Sequence, residues 1–227
     1  MATATPAGTR TAGDDDALAR ILAWVKSHRQ ISIWGAVIVV GAAGLFWWNA
    51  LSTEQSQLNA SRALGSARLA FESRNFPLAS SELSRIVENY SGTNAAQEAN
   101  LLLAQVRLAQ GQNESAIELL RKFAPGAGRA YRPQAYGLLG AAYENTAHPR
   151  EAALAYQSAA EAAWMPFLKA QYLSDAGRAW TAGGDTAKAV ADYQEIVSKL
   201  DSTSTVTEAK VRLGELTRGA AAAGTMK

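Results

Sequence analysis

Two kinds of apolar patterning divide this chain. Residues 31–51, ISIWGAVIVVGAAGLFWWNAL, carry no formal charge. From residue 55 onward, apolar positions instead recur every three or four residues, the period of a helix with one buried face. That recurrence predicts helices over residues 55–72, 76–89, 94–110, 113–123, 131–146, 149–162, 166–182, 185–199 and 204–217. Gly111 and Gly184 mark turns within two helix pairs, and Arg74 and Ala147 hold the same place in two others. Ala124-Pro125-Gly126-Ala127-Gly128 breaks the chain between pairs, and Pro166 suits a first helical turn. The expected fold is all-α.

The pairs repeat. Small residues in the first helices fall at Ala67, Ala104, Gly140, Gly177 and Gly214, in steps of 37, 36, 37 and 37. In the second helices Ala79, Ala116, Ala152 and Ala189 step by 37, 36 and 37. Large residues follow at Leu83, Leu120, Tyr156 and Tyr193, and Trp180 takes the place that Tyr143 holds one unit earlier. Such a period implies close helix crossings at the small positions, with the large side chains filling the space beside them. The spacing of Leu139-Gly140, Tyr143, Ala152, Tyr156 and Ala159 resembles the tetratricopeptide pattern of paired helices. The resemblance implies four and a half pairs over residues 52–217, stacked as a right-handed solenoid with a concave inner face. The last helix supplies only the first half of a unit, with Leu213-Gly214 matching Leu139-Gly140. The added two or three residues per unit lie either in longer helices or in longer turns.

Residues 31–51, if helical, extend about 31 Å, close to the hydrocarbon thickness of a bilayer. One transmembrane helix is the expectation, since only a helix satisfies its own backbone in a single crossing. Trp34, Trp47 and Trp48 suit the membrane boundary, and Lys26 and Arg29 flank one end. With Arg62 as the first basic residue beyond the span, the charge bias puts the N-terminus in the cytoplasm and residues 52–227 across the membrane. Cleavage after Ala50 would place Trp48 where a signal peptidase needs a small residue; cleavage after Ala43, with Gly41 at that place, is sterically open. Residues 1–30 form a cytoplasmic tail. Within it Leu18, Ile21, Leu22 and Val25 share a helical face, either as a surface amphipathic helix or as the lead-in to the span. Ser52 either caps a new helix or lies within a continuous one. Residues 218–227 are expected to be a disordered tail.

Composition removes several chemistries. The chain has 227 residues, no cysteine and two histidines, so disulfides, thiolate sites and multi-histidine metal centres are excluded. A formal net charge of +2 without a Lys/Arg stripe gives no footprint for nucleic acid. His148 falls in a turn and His28 in the basic flank. Glu151 and Glu161 sit on helix surfaces, where solvated charge is the default. No phosphate loop or nucleophile motif occurs, so no enzyme activity and no cofactor are expected. Binding is the alternative use of such a scaffold. Counted from the small positions, the inner face draws on Leu64, Arg68, Leu101, Gln105, Leu108, Gln134, Gln171 and Arg178. That mixed, half-apolar surface suits an extended segment or a partner helix. The full Lys, Arg and Asn set with which some tetratricopeptide domains clamp a C-terminal carboxylate is not present.

The layout of tail, anchor and repeats, with the motifs FPLASSEL, AQGQNESAIELL and AGGDTAKAV, resembles the YfgM-type ancillary subunits of the Sec translocon. That resemblance implies a bacterial inner membrane with the repeats in the periplasm, and a chaperone-like helper whose partners are translocon subunits, a membrane-anchored chaperone or exported clients. It transfers no catalytic residue. Residues 76–108 are also similar to tetratricopeptide proteins of outer-membrane assembly, which are usually lipoproteins, and this chain has no cysteine to carry a lipid. The competing expectation is a fixed structural or accessory subunit of a large inner-membrane complex.

Overall fold

The computed structural model describes residues 29–200 and 204–224, with side chains described for Trp34, Val40, Gly41, Trp47, residues 54–200 and residues 204–217. Nine α-helices occur among the described residues: α1 Arg29–Glu72, α2 Phe76–Asn89, α3 Asn94–Ala109, α4 Asn113–Phe123, α5 Arg132–Asn145, α6 Pro149–Ala162, α7 Pro166–Ala182, α8 Thr186–Lys199 and α9 Val206–Gly224. A 3₁₀ turn at Ala124–Gly126 follows α4, where Pro125 and its glycine neighbours break the helical pattern. No strand occurs among the described residues.

Two findings concern helix ends. Ser52 lies within a continuous helix, one of its two expected places, since α1 runs from Arg29 to Glu72. At the other end α9 runs to Gly224 rather than stopping at residue 217. The run from Gly219 to Ala223 contains four alanines, the residue that loses least on entering a helix.

The chain divides into two units, residues 1–54 and residues 55–227. Of the first unit, Lys26 lies outside the described residues, as do the side chains of Arg29, Trp48 and most of residues 31–51. Trp34, Val40 and Trp47 are exposed. Among the described residues no helix is long and apolar enough to cross a membrane.

The second unit is the repeat array. Its turns share one geometry. Arg74, Gly111, Ala147 and Gly184 all have positive φ, at 58°, 73°, 58° and 79°. After each, the next backbone N–H reaches five residues back: Asn75 to Ala70, Gln112 to Arg107, His148 to Tyr143 and Asp185 to Trp180, all between 2.8 and 2.9 Å. This is the left-handed helix stop that satisfies terminal carbonyls, and it favours glycine. Asn75, Thr93 and Asp185 accept hydrogen bonds from the N–H three residues on and so cap α2, α3 and α8.

The small positions are buried as their spacing demands. Ala67, Ala104, Ala79, Ala116, Ala152 and Ala189 are all fully buried. Gly140 and Gly177 have a more particular reason to be glycine. A Cβ on Gly140 would lie 2.6 Å from the Tyr156 ring, and one on Gly177 would lie 2.7 Å from the Tyr193 ring. The aromatic ring therefore takes the space at the crossing itself, rather than the space beside it. Where the second helix carries Leu83 or Leu120, the first helix carries alanine. Gly214 departs from the set: nothing lies within 4 Å of its Cβ direction.

Three core clusters run through the array, each crossing a repeat boundary. Leu83 and Ile86 share one with Leu103 and Val106. Leu101, Ile117 and Leu120 join Leu139 in the next. Tyr156, Trp180 and Tyr193 join Val206 and Ala209 of α9 in the last. Stacking neighbours in this way buries what no single helix pair can bury alone. The closing half-unit α9 covers the apolar face that α7 and α8 leave.

Candidate interaction surface

The expected inner-face residues separate into two groups. Leu64 and Leu101 are core: they are 6% and 3% exposed. Leu64 shares a cluster with Ala99, and Leu101 shares one with Ala135. Each leucine thus belongs to a core shared with the next repeat's first helix, and neither is offered to a partner. Leu108 is half-buried against the second of these clusters. Gln105 is half-buried. Arg68, Gln134, Gln171 and Arg178 are exposed and remain available as a surface.

Charge on that surface is tied from repeat to repeat. Arg68 of α1 pairs with Glu98 of α3, and the hydrogen bond from its guanidinium to Glu98 raises its already high pKa. Arg178 of α7 donates to Glu144 of α5 at 2.5 Å and to Asp175 at 2.9 Å. Tyr156 of α6 donates its hydroxyl to the other Glu144 oxygen at 2.8 Å. Burial works against the Arg178 charge, but hydrogen bonds to Asp175 and Glu144 outweigh it and hold the guanidinium above its ordinary range. Burial also raises Asp175, against the pull of Arg178. The Tyr156 hydroxyl is pushed up by burial and then by its bond to Glu144.

Two cavities lie along the seam of α7 and α9, with Arg178 bordering both. One, of about 330 Å³, is lined by Phe167, Gln171, Ser174, Asp175, Thr205 and Glu208 among others. Another, of about 300 Å³, is lined by Thr181, Tyr193, Arg212, Glu215 and Leu216. Phe167 and nearby Trp164 are exposed at the start of the fourth repeat. Glu144, Asp175 and Glu98 escape a count from the small positions that keeps only one residue per turn. Their signal was the same frame read four residues on for Glu144 and six residues back for Glu98.

The surface holds no evident reaction centre. Among the described residues no group of three or more His, Asp or Glu side chains could hold a metal ion. His148 is an exposed turn residue whose Nδ1 lies 3.0 Å from the Thr146 hydroxyl oxygen. Glu151 and Glu161 are exposed. Polar groups on successive first helices, with cavities between them, are suited to gripping a chain laid across several repeats.

Comparison with known proteins agrees with this geometry. The tetratricopeptide repeat-like domain matches residues 53–166. A point variant of a Podosopora anserina kinesin light chain with nearly identical TPR-like repeats is structurally similar, with a TM-score of 0.56 and 17% sequence identity. The similarity covers 72% of this chain and 86% of that one. At that identity the likeness concerns the fold. No curated protein sequence matches this chain significantly.

Proposed function

Because the chain belongs to the family of tetratricopeptide repeat-like domains, we propose that it is a non-catalytic protein-interaction scaffold, tethered to a bacterial inner membrane by residues 31–51 with its repeats in the periplasm. The observation that carries the scaffold reading is the set of exposed Arg68, Gln134, Gln171 and Arg178 on the first helices α1, α5 and α7, bordered at one end by the α7–α9 cavities. The uncharged stretch of 21 residues and the basic residues before it support the anchor and its orientation. The resemblance to YfgM-type subunits supports a role beside the export translocon, with translocon subunits, a membrane-anchored chaperone or exported clients as partners.

Photo-crosslinking in cells from probes at Gln105, Gln134 and Arg178 tests this. Leu64 is unsuitable as a probe position, since it is core. Many exported proteins together with translocon subunits are the expected captures. One dominant partner in fixed stoichiometry would instead mark a permanent subunit of a single complex. The anchor is tested separately. Alkaline carbonate should leave the full chain in the membrane fraction, and deletion of residues 31–51 should release it. A full chain extracted by carbonate would remove the anchor from the proposal.

A further inference from the structure

The fourth repeat keeps the tyrosine-over-glycine packing of the third but changes the groups around the tyrosine hydroxyl. In the third, the Tyr156 ring packs over Gly140, and its hydroxyl donates to Glu144, four residues further along α5. Arg178, one residue past the small position of the next repeat, donates to the other oxygen of Glu144. A carboxylate is thus held between a tyrosine of the second helix and an arginine of the following unit. In the fourth repeat the Tyr193 ring packs over Gly177 in the same way. Four residues past Gly177 stands Thr181, too short to reach as Glu144 does, and its hydroxyl turns back to the Gly177 carbonyl at 2.8 Å. In the place of Arg178 stands Glu215 of α9.

What remains is a cavity of about 300 Å³ with Thr181, Tyr193, Arg212 and Glu215 on its walls. Tyr193 packs its ring in the core and lines this cavity, and its hydroxyl has no hydrogen-bond partner among the described residues. That hydroxyl is open to the cavity, where it can donate to an acceptor placed there. Arg212 uses one nitrogen on Glu215, at 3.2 Å, and keeps further donors in its fork. The Glu215 side chain is 59% exposed, so its pair with Arg212 is a solvated one that contributes little.

We propose that this cavity is a subsite for the side-chain carboxylate of an acidic residue in a bound protein segment, held by the Tyr193 hydroxyl and Arg212 as Tyr156 and Arg178 hold Glu144. Its volume lies at the small end of ligand pockets, which fits one anchoring side chain of a larger partner. The adjoining cavity carries Asp175 and Glu208. A segment that places a basic or amide residue there, beside its acidic residue, matches the charge along the seam. The subsite rests on the scaffold reading and names the partner chemistry.

The test is fluorescence anisotropy of dye-labelled, C-terminally amidated hexapeptides titrated with the full chain. One peptide carries a single central Glu, one carries Gln at that position, and a third carries its only carboxylate at a free C-terminus. The Glu peptide should bind about tenfold more tightly than the Gln peptide, and Tyr193→Phe should remove about that factor. Glu215→Gln should tighten binding by removing a like charge. The double variant Thr181→Glu/Glu215→Arg rebuilds the third-repeat arrangement, so it should melt at a higher temperature and lose the preference for Glu. Equal binding of the Glu and Gln peptides, or an unaffected Tyr193→Phe, overturns the subsite. Preference for the C-terminal carboxylate alone overturns its assignment to a side chain. Crosslinking from Gln134 that persists in the double variant separates failure of this subsite from failure of the scaffold.

Discussion

At the scale of single residues, the array is governed by matched volumes. Gly140 and Gly177 face tyrosine rings, whereas Ala67 and Ala104 stand in repeats whose second helices carry Leu83 and Leu120. Gly140→Ala should therefore cost about 1–3 kcal/mol by overpacking. Adding Tyr156→Leu restores the pairing used in the first two repeats, and denaturant titration of the double-mutant cycle should show most of the loss recovered. The same change at Gly214 should stabilise by about 1 kcal/mol, the ordinary helical gain of alanine over glycine, because its Cβ meets nothing. Asp192 gives a pH-dependent counterpart. It is 6% exposed, and both its oxygens accept from the Gln157 amide, at 2.9 and 3.1 Å. Burial pushes its carboxyl up to about 6, with Gln157 opposing and Glu195 reinforcing. The folded state therefore holds this proton more tightly than the unfolded chain. The stability it contributes is present below the ordinary carboxylate range and lost as pH rises to about 6. Asp192→Asn should stabilise by about 1–3 kcal/mol at pH 7 and by little near pH 4, as melting at the two pH values would show.

At the scale of elements, the turns set where each helix pair folds back. All four turns adopt the left-handed conformation, but only two use glycine for it. Ala147 and Arg74 bear a cost of about 1–2 kcal/mol each that glycine avoids. Ala147→Gly should raise the melting temperature, and Gly184→Ala should lower it through a comparable strain. The repeat frame marked all four as turn positions, since Arg74 and Ala147 align with Gly111 and Gly184 in sequence, while the left-handed backbone at the two non-glycine positions came from the structure. The helix boundaries were legible for the same reason: caps, prolines and glycines act on their immediate neighbours. The extension of α9 was not, because the alanine run reads equally as a frayed end until its backbone is placed.

At the scale of the whole molecule, cooperativity passes between neighbours only. Each core cluster joins adjacent repeats, so damage should spread one repeat at a time. In Gly140→Ala, amide hydrogen exchange should quicken in α5, α6 and the flanking helices, while α2 keeps its protection; uniform loss of protection would mean the array unfolds as one unit.

The sequence by itself determined the all-α class, the 36- to 37-residue period, the turn positions and the uncharged stretch of residues 31–51. These depend on residues near one another along the chain, and periodicity and turn chemistry express them directly. Only the tertiary structure decided that Leu64 and Leu101 belong to the core, that Arg178 meets a carboxylate 34 residues away, and that Tyr193 lacks the partner Tyr156 has. Those outcomes depend on how separate helices cross, because burial and pairing are fixed by which side chain of the next repeat arrives to fill the space.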